Sequence, residues 1–491
     1  PAPSASAPVS TTREGGEGAP PPEHMSVLGE TARFAAASRT LGTLFKTLAA
    51  AADAVVDAVP TWRWTSADVV AQEPASAETV QRMRAGSFVE AADRFDATAF
   101  GVAPAETVAM DPQQRHLLEV GYASLHAWGP SRAALADVAV AIGVERPDWP
   151  RLQTVPSGRL SVYAATADTV SVAAGRLSFV LGMRGACVTL DTACSAALAA
   201  IHAAVYELRD GRSPAALAAS VRLNLHCHQS LLFAAAGMLS MDGRCKTLDA
   251  RANGFVRAEG VGAITLAPHA AAASRLASSS VRQDGRSASL TAPNALAQRQ
   301  LYDAAAERAP NGDGAVHLPP RLEAHGTGTA LGDPIEASGL AAARAATATP
   351  LVVGVAKTAF GHAEPCAGML GVLKALAEEK AAGACASVQL RVWNPRAVLP
   401  AGALVPVQRS CAALVRVHHG VSAFGYSGTI AHAILAVAVP RDGMAVRGGA
   451  PLLLLHTARF PWCDAHPLYV PRSGRARVVD ARFVGAVADH V

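Results

Sequence analysis

The chain is 491 residues long, 51% hydrophobic and 17% charged, with a formal net charge of +4, so a sizeable core is available. Its 43 basic residues nearly balance its 39 acidic ones and form no concentrated stripe interleaved with aromatics, which excludes nucleic-acid binding as its main business. No run reaches the roughly 18 apolar residues of a membrane-spanning helix, and eight cysteines without a CxxC pair or a small secreted frame read as reduced thiols of a cytoplasmic protein. The chain begins with Pro1, not Met, which leaves a removed organelle-targeting peptide open.

Residues 1–22 are rich in Pro, Ala, Ser and Gly and read as a disordered tail. A first half, 23–267, follows. Met25–Gly29 reads as a short strand, Leu41–Val59 as an Ala-rich helix, and Trp62-Arg63-Trp64 as a loop. Asp111 as N-cap and Pro112 at the first position open a strong helix with Leu117, Leu118, Tyr122 and Leu125 on one face. From Asp137 onward strand-like runs (Val138–Val144, Cys187–Leu190, Ala218–Leu225, Val261–Leu266) alternate with helical ones, which argues α/β layering with mixed sheets. Cys187–Leu190 reads as a buried strand, and Ser195–Leu208, apolar almost all round, as a buried helix. Cys194 sits between them at a helix N-terminus, where the dipole and unpaired N–H groups favour a thiolate and offer an oxyanion site. A small core residue beside a tight turn is the alternative this stretch leaves open. His226-Cys227-His228 is set aside as a metal site, since neighbours in a strand point to opposite faces and no second ligand pair stands at zinc-like spacing.

The second half, 268–436, repeats the theme. Arg321–His325 reads as a strand end before Gly326-Thr-Gly-Thr329, and Asp333-Pro334-Ile335-Glu336 as a helix start with Asp333 as cap. Leu351–Lys357 is a β-rich run leading through a loop with His362 and Glu364 into the helix Ala367–Lys380. His418–Phe424 is a further strand, followed by the flexible turn Gly425–Gly428. Each half therefore offers strand–tight loop–helix units bearing a polar residue: Cys194, His325 and His362. A cysteine with one histidine would fit acyl transfer or proteolysis. Two neutral loop imidazoles can instead donate to one thioester carbonyl and stabilise an enolate, which is what carbon–carbon condensation on a thioester demands.

These residues carry a resemblance. Asp191-Thr-Ala-Cys194-Ser, Glu323-Ala-His325-Gly-Thr-Gly-Thr329 with Gly332-Asp-Pro-Ile-Glu336, and Lys357 with Gly361-His362-x-Glu364 resemble the three signatures of β-ketoacyl synthases. The subtype they resemble most is the ketosynthase domain of modular type I polyketide synthases, over roughly residues 25–436. The resemblance implies a thiolase-like α/β fold, duplicated and stacked as five αβαβα layers, and a homodimer. It implies that Cys194 accepts an acyl chain from the phosphopantetheine arm of an acyl carrier protein, no cofactor being bound directly. His325 and His362 would assist decarboxylation of a malonyl-type extender, and the N–H groups of Cys194 and Tyr426 would form the oxyanion hole. Lys357 and Glu364 would orient the histidine loop by charge pairing, and no metal is implied.

Against the family pattern, Tyr426 stands for Phe, Ile430 for Asn, with loss of a hydrogen bond, and Thr358-Ala359-Phe360 for Ser-Asn-Ile. The run 268–280 looks too short for the expected helix plus strand. These departures leave a non-elongating acyl-transfer gate, or a dimerisation or docking scaffold, as the alternative function. Residues 437–451 read as a linker. Residues 452–491 resemble the truncated start of a dehydratase-like hotdog domain, with His490 in the place of its catalytic histidine. No acyltransferase segment follows the synthase, so extender loading is expected in trans or from a missing remainder.

Overall fold

The computed structural model describes residues 24–65, 68–69, 75–130, 132–153, 162–268, 272, 274–309, 318–345, 351–381, 383–399, 403–404, 418–437 and 458–459. The tail 1–22, the linker 437–451 beyond Val437, and the dehydratase-like segment with His490, Ala458–Arg459 apart, lie outside them.

The strands are β1 (Met25–Phe34), β2 (Arg94–Phe95), β3 (Ala139–Gly143), β4 (Cys187–Leu190), β5 (Ala216–Arg222), β6 (Gly260–Pro268) and β7 (Ser274–Gln283). They continue as β8 (Arg321–Glu323), β9 (Leu351–Gly354), β10 (Ala403–Leu404), β11 (His419–Phe424), β12 (Thr429–Val437) and β13 (Ala458–Arg459). The spatial order is β10-β9-β8-β11-β12-β7-β1-β6-β5-β3-β4, with β13 pairing separately on β2. The long array is two sheets joined at a narrow seam, where β1 meets β7 through only Met25–Leu276 and Ser26–Arg275.

The seam divides equivalent halves. In the first, β1, β6 and β5 pair antiparallel in turn, and β5, β3 and β4 run parallel. In the second, β7, β12 and β11 pair antiparallel, and β11, β8 and β9 run parallel. Chain order maps one set onto the other, so the topology is a duplication. The matching strands end alike: Gly143, the last paired residue of β3, pairs with Ser220 and Leu190, and Glu323, the last of β8, pairs with Val421 and Gly354.

Among the described residues the layers are built by α1 (Leu41–Ala49), α2 (Pro112–Trp128), α3 (Val170–Leu181), α4 (Ala196–Arg209), α5 (Ala295–Glu307), α6 (Gly332–Ala343) and α7 (Ala367–Ala381). Side chains alternate across each strand. Val140 and Ile142 of β3 face outward onto Leu117, Leu118 and Leu177 of α2 and α3. Ala139 and Ala141 face inward onto Leu198 and Ile201 of α4, in one cluster with Leu370 and Leu373 of α7 and with Val421, Ala423, Ala431 and Ala433 of β11 and β12. On the far side, Leu322, Val353 and Ile430 meet Leu301, Tyr302 and Leu340 of α5 and α6. The stack is helix–sheet–helix–sheet–helix, with alanines on the inner faces letting the two central helices approach both sheets.

Several expected elements take a different form. The helix from Leu41 ends at Ala49: Ala51 has φ 51°, and the β-branched Val56 pairs with Gly86 while Ala54 N–H bonds Ala359 O at 2.8 Å. Tertiary pairing outweighs alanine's helix propensity there. β1 runs on to Phe34, well past Gly29. β4 is not buried; it is the edge of the first sheet, with Cys187 and Val188 exposed. His226-Cys227-His228 is not a strand: His226 Nδ1 accepts His228 N–H and caps a helix over Cys227–Ala235. In the run after Pro268, the described residues hold strand β7 with no helix before it.

Candidate active site

The nucleophile turn follows β4. Asp191 Oδ1 accepts Ala193 N–H at 3.0 Å, Ala193 is held at φ 54°, and Ser195 Oγ donates to Thr192 O at 2.8 Å before α4 begins. A left-handed non-glycine residue just before Cys194 is the kind of stored strain that surrounding structure must over-determine. The loop after β11 supplies that support: a Cβ on Gly425 would lie 2.4 Å from Thr192 O, so only glycine permits the approach. The next residue, Tyr426, directs its backbone N–H at Cys194 Sγ. Its ring stays half-exposed, edge-on to Phe233.

His325 follows β8. Its N–H and that of Gly326 each donate to the Glu336 carboxylate at 2.7 Å, and Phe424 N–H donates to His325 Nδ1 at 3.2 Å. An Nδ1 that accepts must leave the imidazole proton on Nε2, so the tautomer is set by the backbone of β11. Asp333, expected as the cap of α6, lies inside its first turn; Leu331 is the cap. Its carboxylate is drawn instead to Leu248 N–H at 2.8 Å and Gly328 N–H at 3.1 Å, which ties down the Gly-Thr-Gly-Thr loop.

His362 follows β9 and the short helical turn Lys357–Phe360. Its backbone is clamped by Val256 O at 2.7 Å and Ala258 N–H at 2.8 Å, and its Nε2 lies 3.0 Å from Cys194 Sγ. The His325 and His362 rings meet edge-on with centroids 5.5 Å apart. The three residues named from separate segments thus converge.

Both imidazoles are held neutral. Burial, then the nearby Lys357 charge, pushes His362 down to about 3 and His325 well below the usual histidine range. Burial also pushes the Cys194 thiol up, with the Glu145 and Glu364 carboxylates adding to it. This corrects the thiolate expected from the helix dipole: desolvation outweighs the dipole, and the resting pair is thiol and neutral imidazole. The geometry lets the proton pass from Sγ to Nε2 as the sulfur attacks.

The expected Lys357–Glu364 charge pair does not form. Glu364 is bracketed by two arginines, Arg257 at 2.5 and 3.1 Å and Arg222 at 2.9 Å, and among the described residues Lys357 has no carboxylate within ion-pair distance. Lys357 acts on the imidazoles by its charge instead. Sequence reasoning gave no role to Arg257, which lies in the family-like run Gly254–Gly260, and passed over Arg222 and Glu145, although an arginine inside the apolar run Ala218–Leu225 is a visible signal. Among the described residues no group of three or more His, Cys, Asp or Glu side chains is arranged to hold a metal ion.

The chain matches the family description "Beta-ketoacyl synthase, N-terminal domain" over residues 23–272 and "Beta-ketoacyl synthase, C-terminal domain" over residues 273–382. It is 36% identical over 445 residues to a phenolphthiocerol/phthiocerol polyketide synthase protein of Mycobacterium tuberculosis, covering 87% of this chain and 24% of that protein. It is 38% identical over 384 residues to the polyketide synthase GfsA of Streptomyces halstedii, covering 73% of this chain and 5% of that protein. The chain therefore spans a quarter or less of the length of these relatives. Among solved structures it is similar to a ketosynthase domain of the oxazolomycin synthase of Streptomyces albus (28% identity, TM-score 0.77, 86% of this chain and 76% of that one). It is also similar to the module 6 ketosynthase of the bacillaene synthase of Bacillus subtilis (26% identity, TM-score 0.76, 85% and 73%).

Proposed function

The chain belongs to the β-ketoacyl synthase family, and from that premise we propose that it catalyses decarboxylative condensation of an acyl group on Cys194 with a malonyl-type extender. Both groups arrive on the phosphopantetheine arm of an acyl carrier protein, the extender having been loaded by an acyltransferase. In the first step Cys194 Sγ attacks the acyl thioester, its proton passes to His362 Nε2, and that proton leaves with the carrier thiolate. In the second, the bond from the malonyl α-carbon to its carboxylate breaks and CO2 departs. The Nε2–H of His325, whose tautomer the Phe424 N–H fixes, donates to the enolate oxygen, and His362 donates there once its Nε2 has taken up a proton from water. The enolate carbon attacks the Cys194 thioester, and the N–H groups of Cys194 and Tyr426 take the developing oxyanion. Sγ then leaves as thiolate and takes back one proton, the one that His362 Nε2 gained from water.

The observation that carries this reading is His325: a neutral imidazole with its tautomer set by Phe424 N–H, placed edge-on to the partner of the thiol. Proteolysis has no use for a second imidazole donor. The test is incubation with an acyl-carrier thioester followed by malonyl carrier, read by mass spectrometry. An acyl mass on Cys194 that malonyl carrier discharges as a β-ketoacyl product is expected. No adduct overturns the reading, and an adduct without malonyl-dependent product replaces it with the acyl-transfer gate.

We divide the chain at 22, 267, 436 and 451, the second boundary lying at the end of β6, where the chain passes from the strands of the first half to β7. We further propose a homodimer formed across the exposed edge of β4, beside which Phe179 of α3 is 87% exposed. The six described cysteines carry free thiols, which suits the cytoplasm in which we place the protein.

A further inference from the structure

The duplication assigns every loop of the first half a counterpart in the second. Gly143 ends β3 and Glu323 ends β8, the matching strands of the two halves, so Glu145 and His325 each stand two residues past the end of the corresponding strand. Both leave their strand toward the site. Gly143 makes this possible in the first half, since a Cβ there would sit 2.6 Å from the backbone of Ala196, at the start of the helix that follows Cys194.

Glu145 is buried and ordered. Gln229 Nε2 donates to its Oε1 at 2.8 Å, and Arg222 Nη1 stands 3.6 Å from its Oε2. Arg222 in turn reaches Glu364 at 2.9 Å and Gln229 Oε1 at 2.6 Å, and Arg257 closes the far side of Glu364 while donating to Ser230 Oγ at 2.6 Å. Two carboxylates and two guanidiniums thus form one buried layer beneath the thiol. The groups facing Glu145 are Arg222, Glu364, Arg257 and Asp191, with Cys194 and Tyr426 feeling its charge from above.

We propose that Glu145 is a positioning residue for the nucleophile: standing in the first half where His325 stands in the second, and paired to Arg222, it controls by its charge how readily Cys194 ionises. This rests on Cys194 being the nucleophile. Burial lifts the Glu145 carboxyl to about 7, which places its change of charge in the neutral range. Charged, it disfavours a second negative charge at Sγ; protonated, it does not. Arg222 compensates it in part, and Gln229 keeps it oriented in either state.

The experiment measures iodoacetamide alkylation of Cys194, resolved from the other cysteines by peptide mass spectrometry, in wild type and Glu145→Gln between pH 6 and 9. Glutamine retains the bond to Gln229 and deletes the charge. The variant is expected to alkylate about tenfold faster at pH 8 and above, and at the wild-type rate at pH 6, where the wild-type carboxyl is itself neutral. A ratio that is flat across the range, whatever its value, overturns the proposal, because a packing defect has no reason to vanish at pH 6. If Glu145→Gln does not fold, wild type decides alone: its rate should rise about tenfold per pH unit with an inflection near pH 7, and a straight rise overturns the proposal. Alkylation needs no carrier and no condensation, so a chain that alkylates as expected yet forms no β-ketoacyl product refutes the proposed function and leaves this inference standing.

Discussion

Glu364→Gln tests the layer that holds the histidine loop. The Glu364 carboxyl is held down at about 2 against an ordinary 4.5, by the Arg222 and Arg257 charges working against burial. Because the folded value lies below the unfolded one, the stabilisation is complete above pH 4.5 and is lost as the pH falls through 2. The gap corresponds to about 3 kcal/mol at pH 7. This agrees with the ~3–5 kcal/mol expected when one member of a buried charge cluster is removed and its partners are stranded. Glu364→Gln should therefore unfold at a clearly lower urea concentration at pH 7, followed by circular dichroism, with the deficit narrowing by about 1 kcal/mol at pH 4. The acyl adduct on Cys194 should also form more slowly, since Glu364 lies two residues from His362. A variant within 1 kcal/mol of wild type at pH 7, or a deficit that widens on acidification, would refute the reasoning.

Behind the site, Lys374 Nζ bonds Glu323 and stands 3.4 Å from Glu378, while Glu323 Oε1 accepts Ala356 N–H at 2.5 Å between the two histidine loops. Lys374→Met strands the buried Glu323 carboxylate, Glu378 keeping Arg321 at 2.8 Å, and should cost about 3–5 kcal/mol by urea titration, with partial recovery in Lys374→Met/Glu323→Gln; no recovery would show that the pair is not the cause. Acid should also weaken the fold through histidines buried neutral. His362 and His432 are pushed down to about 3 by burial, so the unfolded chain binds protons there below pH 6.5 that the folded chain refuses. Each such site removes about 2 kcal/mol between pH 7 and 5, and His432→Asn should remove its share of that slope in urea midpoints; an unchanged slope would contradict it.

The sheet-forming runs and the helix at Asp111-Pro112 were legible because period and capping chemistry agree there with tertiary context. His325 and His362 were legible because each sits beside a glycine in a loop after an apolar run, and Cys194 because it stands between a strand-like run and an apolar helix. Residues whose role depends on pairing across the fold were not. Val56 left its helix because Gly86 was available to pair with it, and Glu364 took Arg222 and Arg257 rather than Lys357 because packing of the two halves brings the end of β5 and the segment before β6, bridged at Arg257 to His362, beside it. The protonation state of Cys194 was misjudged for a related reason. A helix N-terminus is visible in sequence, whereas desolvation depends on what packs above it, here the Gly425–Tyr426 turn from the other half of the molecule.

That turn also decides what the departures at Phe360 and Ile430 do. Phe360 is buried against Phe34, edge-on at 6.2 Å, and so fills the central layer without turning toward the thiol. Ile430 is fully buried with Phe424, Leu322 and Val355, and it pairs across the hairpin with Phe424. The hydrogen bond that orients His325 comes from the backbone of Phe424, so an apolar side chain at 430 leaves that donor in place. It steadies the strand carrying the donor by burying more apolar surface beside it. Catalytic geometry held by main-chain N–H groups tolerates side-chain change next to it, because the donors belong to the sheet. The geometry around Cys194 and His325 is therefore kept with Phe360 and Ile430 in place, while removing the charge on Glu364 should slow formation of the acyl adduct on Cys194.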